Sequence, residues 1–337
     1  MFKTSTIQAL HNRKLLVIIG NGFDLDLELK TSYKDFMISD TFKEYRNESH
    51  SQPNDPYSRL NLFDYLQDRF DGNDKRWIDI EIELRDFAHD IDLTNYDSQE
   101  KAIGYIKTSF NQIRSALTEY LTTVDYSSVN IQSAAIETLK AIRGGRNCMV
   151  YNFNYTDISR LYRYIGGSPS FSVYNIHGTL KEKSIVLGFD KIPLRYQDLD
   201  FMVKYQSDSF KSPDNSCDIR KDLEEAEEVL VFGHTLGSTD HSYFQEFLQQ
   251  QIGLTRDKRT QITIVTLNAK ARREINREID EMTDNESEML NINFIQTHGN
   301  TSQEEIHSYF ENLSKRISPS INRSVLAKIK PPTIIPL

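Results

Sequence analysis

The chain has 337 residues, 38% of them apolar and 26% charged, with a formal net charge of −9. That is enough for one large domain with an insertion or two modest ones, and the acidic balance argues against a general nucleic-acid binder. No apolar run reaches membrane-spanning length, no signal-peptide block opens the chain, and two cysteines make no disulfide framework, so a cytoplasmic protein is expected.

The first predicted element is a strand. Leu15-Leu16-Val17-Ile18-Ile19 is short, apolar and mostly branched, the texture of a strand buried on both faces of a parallel sheet. Gly20-Asn21-Gly22 follows at once, with Phe23, Asp24 and helix-compatible sequence beyond. A strand, a glycine turn and a helix start can form an anion site, because backbone N–H groups face outward and no Cβ blocks a phosphate. The full dinucleotide fingerprint wants a third glycine where Leu25 stands, and no clear ribose-binding acid follows a second strand. A plain tight turn is the alternative. Thr31-Ser32-Tyr33 then interrupts a helical spacing; its hydroxyls either cap a helix starting near Ser32 or line the mouth of a pocket on the glycine turn.

From Phe42 to about Gly144 the texture is helical, with a loop-like segment from His50 to Pro56. Apolar residues recur three and four apart at Leu60, Phe63, Leu66 and Phe70, then at Ile80, Leu84, Phe87 and Ile91. They recur again from Ile103 through Phe110 and Leu117 to Leu121. This predicts a helical insertion over 42–144, with Ile136 to Ile142 leading back to the sheet. Trp77, Ile80 and Leu84 read as its core, while Asp79 and Glu81 could face a pocket.

Short apolar strands then alternate with helices. Strands are predicted over Asn147–Asn154, Val173–Ile176, Ser184–Asp190, Glu228–Phe232, Gln261–Leu267 and Ile292–Ile295, with helices over Asp218–Glu227 and Asp240–Gln251. The alternation predicts an α/β fold with a mainly parallel sheet flanked by helices, built from 1–41 and 145–317. An extended tail over 318–337 is either free or an arm on a neighbouring subunit.

Ligands of open parallel sheets bind beyond the carboxyl ends of the strands. Four such ends carry the candidate chemistry: Gly20 to Asp24, Asn154-Tyr155-Thr156-Asp157, His177-Gly178, and Gly233-His234-Thr235. Each has a plain reading as well. Asn154 and Asp157 could only cap the next helix, His177 could be a turn residue, and His234 could touch a phosphate or another subunit.

The wording Ile19-Gly20-Asn21-Gly22-Phe23-Asp24-Leu25, followed by Thr31-Ser32-Tyr33 and Phe36, resembles the AbiH family of bacterial phage-abortive-infection proteins. Phe153 to Asp157, Asn175 to Leu180, Val231 to Leu236 with Asp240, and Trp77 to Leu84 are similar to that family in the same order. More distantly, these blocks resemble the NAD-binding core of sirtuins and sirtuin-like NADases. That resemblance implies a Rossmann-like, sirtuin-like sheet holding NAD+ or a related nucleotide as substrate, with no resident cofactor and no metal. It implies a nucleotide site of Gly20, Asn21, Gly22, Phe23, Asp24, Thr31, Tyr33, Asp157, Gly233, His234 and Thr235, with Asn154 and His177 catalytic. Glu28 stands where glycine is common in both groups, and Lys30 where proline is. The two cysteines cannot make the four-thiolate zinc site of the deacylases, which disfavours deacylation.

Cleaving the nicotinamide bond passes through an oxocarbenium-like state, so the protein must hold the ribose, exclude bulk water and place one water beneath the anomeric carbon. The amide of Asn154 suits orientation of that water or of the ribose hydroxyls, and the imidazole of His177 suits the base. A sensor that binds a nucleotide without turnover is a second class. A metal-dependent nuclease using His177, His234, Asp240 and His241 is a third, disfavoured by the acidic charge. An abortive-infection effector further implies restraint by assembly, an inhibitor or a phage-derived trigger; a homo-oligomer is expected.

Overall fold

The computed structural model describes residues 14–50, 55–73, 78–145, 147–166, 170–182, 185–204 and 218–317. Six strands form one sheet: β1 (Leu15–Ile19), β2 (Cys148–Asn152), β3 (Ser172–Asn175), β4 (Glu228–Phe232), β5 (Gln261–Thr266) and β6 (Ile292–Gln296). Their order is β3-β2-β1-β4-β5-β6 and every neighbouring pair is parallel. Val17 lies in register with Val150 on one side and Leu230 on the other. The chain therefore starts in the middle, builds outward to β3, and returns to β4 to build the other half. The switch of direction lies between β1 and β4, where ligands of such sheets bind.

All five residues of β1 are buried, which a central strand covered on both faces requires. Alternate residues feed two cores. Leu15, Val17 and Ile19 pack with α7 (Ala134–Ile142), α8 (Ile158–Ile165) and α12 (Gln303–Ile317). Leu16 and Ile18 face α9 (Ile219–Glu225), α10 (His241–Ile252) and α11 (Ala269–Met282). The parallel α/β sheet expected from the alternation of elements is therefore present.

Between β1 and β2 lie α1 (Asn21–Asp26), α2 (Tyr33–Ile38), α3 (Asp40–Ser49), α4 (Leu62–Gly72), α5 (Ile80–Asp90) and α6 (Gln99–Thr122). Ser32 does cap α2: its hydroxyl accepts from the Asp35 amide at 3.1 Å and the Asp35 carboxylate accepts back from the Ser32 amide. Helices α2 to α6 share a third core with Ile185, Leu187, Phe189, Leu199 and Met202.

That last contact corrects one prediction. Residues 185–190 are not a strand of the sheet; they make only an isolated parallel bridge, Phe189 with Val203. Ile185, Leu187 and Phe189 do alternate with exposed Val186 as a strand would, but they point into the helical core. Gly188 sits at φ +154°, and a Cβ there would lie 2.3 Å from the Met202 carbonyl oxygen, so the segment kinks onto its own return path. Trp77, Cys217, Ser184 and the predicted tail from Ser318 lie outside the described residues.

Candidate active site

The glycine turn sits at the switch point, and its glycines serve a close packing of two loops. A Cβ on Gly20 would lie 2.5 Å from the His234 Cα, and one on Gly22 would lie 2.7 Å from the Gly233 Cα. Gly233 itself is at φ +66°, and its Cβ would lie 2.2 Å from the Phe23 nitrogen. Hydrogen bonds seal the joint. The Gly20 amide donates to the Phe232 carbonyl at 3.0 Å, Gly22 to the Gly233 carbonyl at 2.8 Å, and Phe23 to the Gly20 carbonyl at 2.9 Å. These amides, which the strand–turn–helix pattern would turn toward a phosphate, are thus engaged within the protein.

The end of β2 is bound to that turn. The Asn152 side chain donates to the Thr156 carbonyl and to Asn175, and its oxygen accepts from the Asn154 amide. The loop so shaped sends the Asn154 side chain to the Gly20 carbonyl, where it donates at 2.9 Å. Asp24, one turn into α1, is 1% exposed. One of its oxygens accepts from the Thr156 hydroxyl, while the other, Oδ1, has no hydrogen-bond partner. Burial dominates and pushes its carboxyl up to about 6, against the opposing contacts of Thr156, Asn154 and Thr31. The Thr31 hydroxyl donates to the exposed Asn21 side chain at 3.0 Å.

The second half of the site is a buried charge network. His177 follows β3, His234 follows β4, and Asp240 is the N-cap residue of α10. Both imidazoles flank that carboxylate: His177 Nε2 is 3.5 Å from Asp240 Oδ1 and His234 Nε2 is 3.4 Å from Oδ2. The Leu236 amide donates to His234 Nδ1 at 2.9 Å, which assigns the proton of the neutral ring to Nε2, facing Asp240. Leu236 is held at φ +54°, an unfavourable backbone state for a bulky residue, on the turn that presents His234. The Phe153 ring lies edge-on to both imidazoles, 5.4 Å from His177 and 4.5 Å from His234.

Lys204, whose side chain is fully buried, donates to Asp240 Oδ1 and to Glu81 Oε2, each at 2.9 Å. Glu81 is the second residue of α5, and Asp79 before it accepts from the Glu81 and Ile82 amides. Burial and the nearby Asp240 and Asp79 push Glu81 up to about 8 in spite of Lys204. Burial opposes ionisation of Asp240 too, but Lys204, His177 and His234 hold it well below the carboxylate range. Burial also opposes the charge of Lys204, and the two carboxylates overcome it and hold the ammonium well above its usual value. Desolvation first and the Lys204 charge second lower His177, outweighing Asp240. The ring is then neutral near pH 7 and can take a proton, with its buried Nε2 turned toward Asp240 Oδ1 at 3.5 Å.

The sequence-predicted residues divide accordingly. Gly20, Gly22, Phe23, Asp24, Asn154, Gly233, His234 and His177 meet at the carboxyl edge of the sheet. Tyr33 joins them: Tyr155 and the carboxylates of Glu81, Asp79 and Asp240 lie around its phenol, which burial and those charges raise well above its usual range. Asp157 is exposed and caps α8, accepting from the Ser159 amide at 3.0 Å, and Thr235 is exposed on the turn. His241 leaves the cluster to pair with Glu278 at 3.1 Å. Among the described residues no group of three or more His, Cys, Asp or Glu could hold a metal ion, and the Lys204 ammonium is the cation against Asp240. Lys204 was not foreseen, because Val203-Lys204 carries no motif and its partners are far away in the chain.

Against known proteins, the family model described as bacteriophage abortive infection AbiH matches residues 16–265. No curated protein matches the chain. Among the described residues no helix is long and apolar enough to cross a membrane.

Proposed function

The chain belongs to the bacteriophage abortive infection AbiH family, and from that premise we propose that it is an anti-phage effector hydrolysing NAD+ or a related nucleotide. The observation that carries the reading is convergence. Asn154 touches the glycine turn, His234 packs against that turn, and His177 shares Asp240 with His234, all at the switch point of a parallel sheet.

In the proposed reaction the ribose–nicotinamide bond breaks with its electron pair leaving on the pyridine nitrogen. A water oxygen bonds to the anomeric carbon, and its proton passes to the imidazole of His177. Asn154 orients the water or the ribose hydroxyls, and Phe153 and Tyr155 keep bulk water from the ring of His177. Products are ADP-ribose, nicotinamide and one proton. Restraint in the uninfected cell would fall to a phage-derived trigger or to assembly into a homo-oligomer.

Incubation of the purified protein with NAD+, followed by chromatography, should yield ADP-ribose and nicotinamide. His177→Ala is expected to lower turnover at least about 100-fold while its melting temperature stays close to that of the wild type. NAD+ hydrolysis unchanged in that variant rules the mechanism out.

One observation favours a second reading, a nucleotide sensor without turnover. Asn154, His177 and Asp240 are each less than one-tenth exposed and the turn amides are engaged, so entry of a ligand requires rearrangement. A protein that binds ADP-ribose in calorimetry yet leaves NAD+ intact would be that sensor.

A further inference from the structure

The buried network has a member that neither the glycine turn nor the two imidazoles explain. Lys204 Nζ lies 2.9 Å from a carboxylate on α5 and 2.9 Å from another at the start of α10. Helix α5 belongs to the helical core, and α10 covers the sheet. Burying an ammonium and two carboxyls is expensive, and hydrophobic residues in the same place often stabilise a protein as well or better. Stability alone is thus a weak reason for the triad. What the triad does is fix Asp240, the only carboxylate within 3.5 Å of both imidazoles among the described residues. A second tie runs beside it: Arg85, one turn further along α5, donates to the Ser238 hydroxyl at 2.8 Å, two residues before Asp240.

We infer that Lys204 is a positioning residue of the site: held between Glu81 and Asp240, it fixes the carboxylate that both imidazoles share and so ties the helical layer to His177. The inference rests on His177 being the reacting base, and it adds how that base is controlled. Displacement of α5 takes Glu81 from Lys204. The ammonium, no longer held from both sides, then loses its fixed position against Asp240, the carboxylate that orients His177. A signal received by the helices is in this way delivered to His177 through Lys204 and Asp240.

The groups facing His177 are Asp240, Lys204 and His234, with Phe153 and Tyr155 supplying the apolar walls; Glu81, Asp79 and Asp190 lie one step further around Lys204 or Asp240. Removing the positive charge of Lys204 leaves Asp240 as the dominant neighbour, so the midpoint of His177 must rise.

The test is histidine-selective NMR on the full-length protein, with the His177 resonance assigned by its loss in His177→Gln. In wild type the resonance is expected to titrate below the ordinary histidine range and to shift again near pH 8, where Glu81 ionises. Lys204→Met should raise the midpoint by about one unit or more, and Lys204→Arg should restore the low value. Glu81→Gln should abolish the step near pH 8. Should Lys204→Met not fold, the wild-type trace and Glu81→Gln decide alone. A single-step wild-type titration, or a Lys204→Met midpoint equal to that of wild type, overturns the inference.

The turnover assay separates this outcome from the activity itself. Lys204→Met should lower kcat for NAD+ about 10-fold or more with KM little changed. If the NMR coupling is present but wild type leaves NAD+ intact, the catalytic reading fails while the tie between α5 and His177 remains.

Discussion

The carboxyl of Asp24 is held on one oxygen by Thr156 and unpartnered on the other, and desolvation raises it from 3.8 to about 6. In the unfolded chain the proton leaves near the lower value, so between about 4 and 6 the folded form binds more protons and stability falls as pH rises. About one unit above 6 the loss is complete and amounts to about 3 kcal/mol. Asp24→Asn cannot ionise. It is therefore expected to lose this decline and to melt several degrees higher than wild type at pH 7.5, in thermal scans taken from pH 4 to 7.5. Parallel curves for the two proteins would refute the assignment. Glu28 shows what single residues disclose in advance and what they hide. It occupies a place where glycine is common in the resembling families, and its backbone is indeed left-handed at φ +64°. The side chain is held by Asn130, which donates to it at 3.1 Å, and no local pattern announces a partner so far along the chain.

At the scale of elements, the turn after β1 and the turn after β4 behave as one part. Their glycines permit backbone to lie against backbone, and hydrogen bonds close the contact. Gly233→Ala combines a left-handed φ with a Cβ 2.2 Å from the Phe23 nitrogen. It is expected to cost more than about 3 kcal/mol in chemical denaturation, whereas Gly104→Ala, in open space on α6, should be neutral or mildly stabilising. Strands buried on both faces, such as Leu15–Ile19 and Glu228–Phe232, were legible because a continuous apolar run has few other uses. The segment 185–190 was not. Its alternation is real, but period two reports only that one face is buried, not whether the cover is a sheet or the helices. The strand-end position of Asn154, His177 and His234 was likewise visible, because parallel sheets place function at their carboxyl edge. The triad of Glu81, Lys204 and Asp240 joins residues 123 and 36 positions apart, and only the fold brings them together.

For the molecule as a whole, the helical layer and the sheet meet at the site, through Glu81 to Lys204 and through Arg85 to Ser238. Elements joined this way should respond together. Addition of ADP-ribose is expected to slow amide exchange in the first turns of α5 and across Gly233–Asp240 in parallel. Protection confined to one of the two segments would show that they are not coupled. The central position of β1 has a further outcome during synthesis. Leu15 pairs with Cys148 on one side and Glu228 on the other, so the most apolar strand leaves the ribosome long before either neighbour exists. The helices that emerge next can form from nearby contacts, while the sheet must wait for distant ones. A nascent chain that ends between His234 and Asp240 has both imidazoles but not the carboxylate between them, so translation withholds the assembled constellation until the start of α10 has been made.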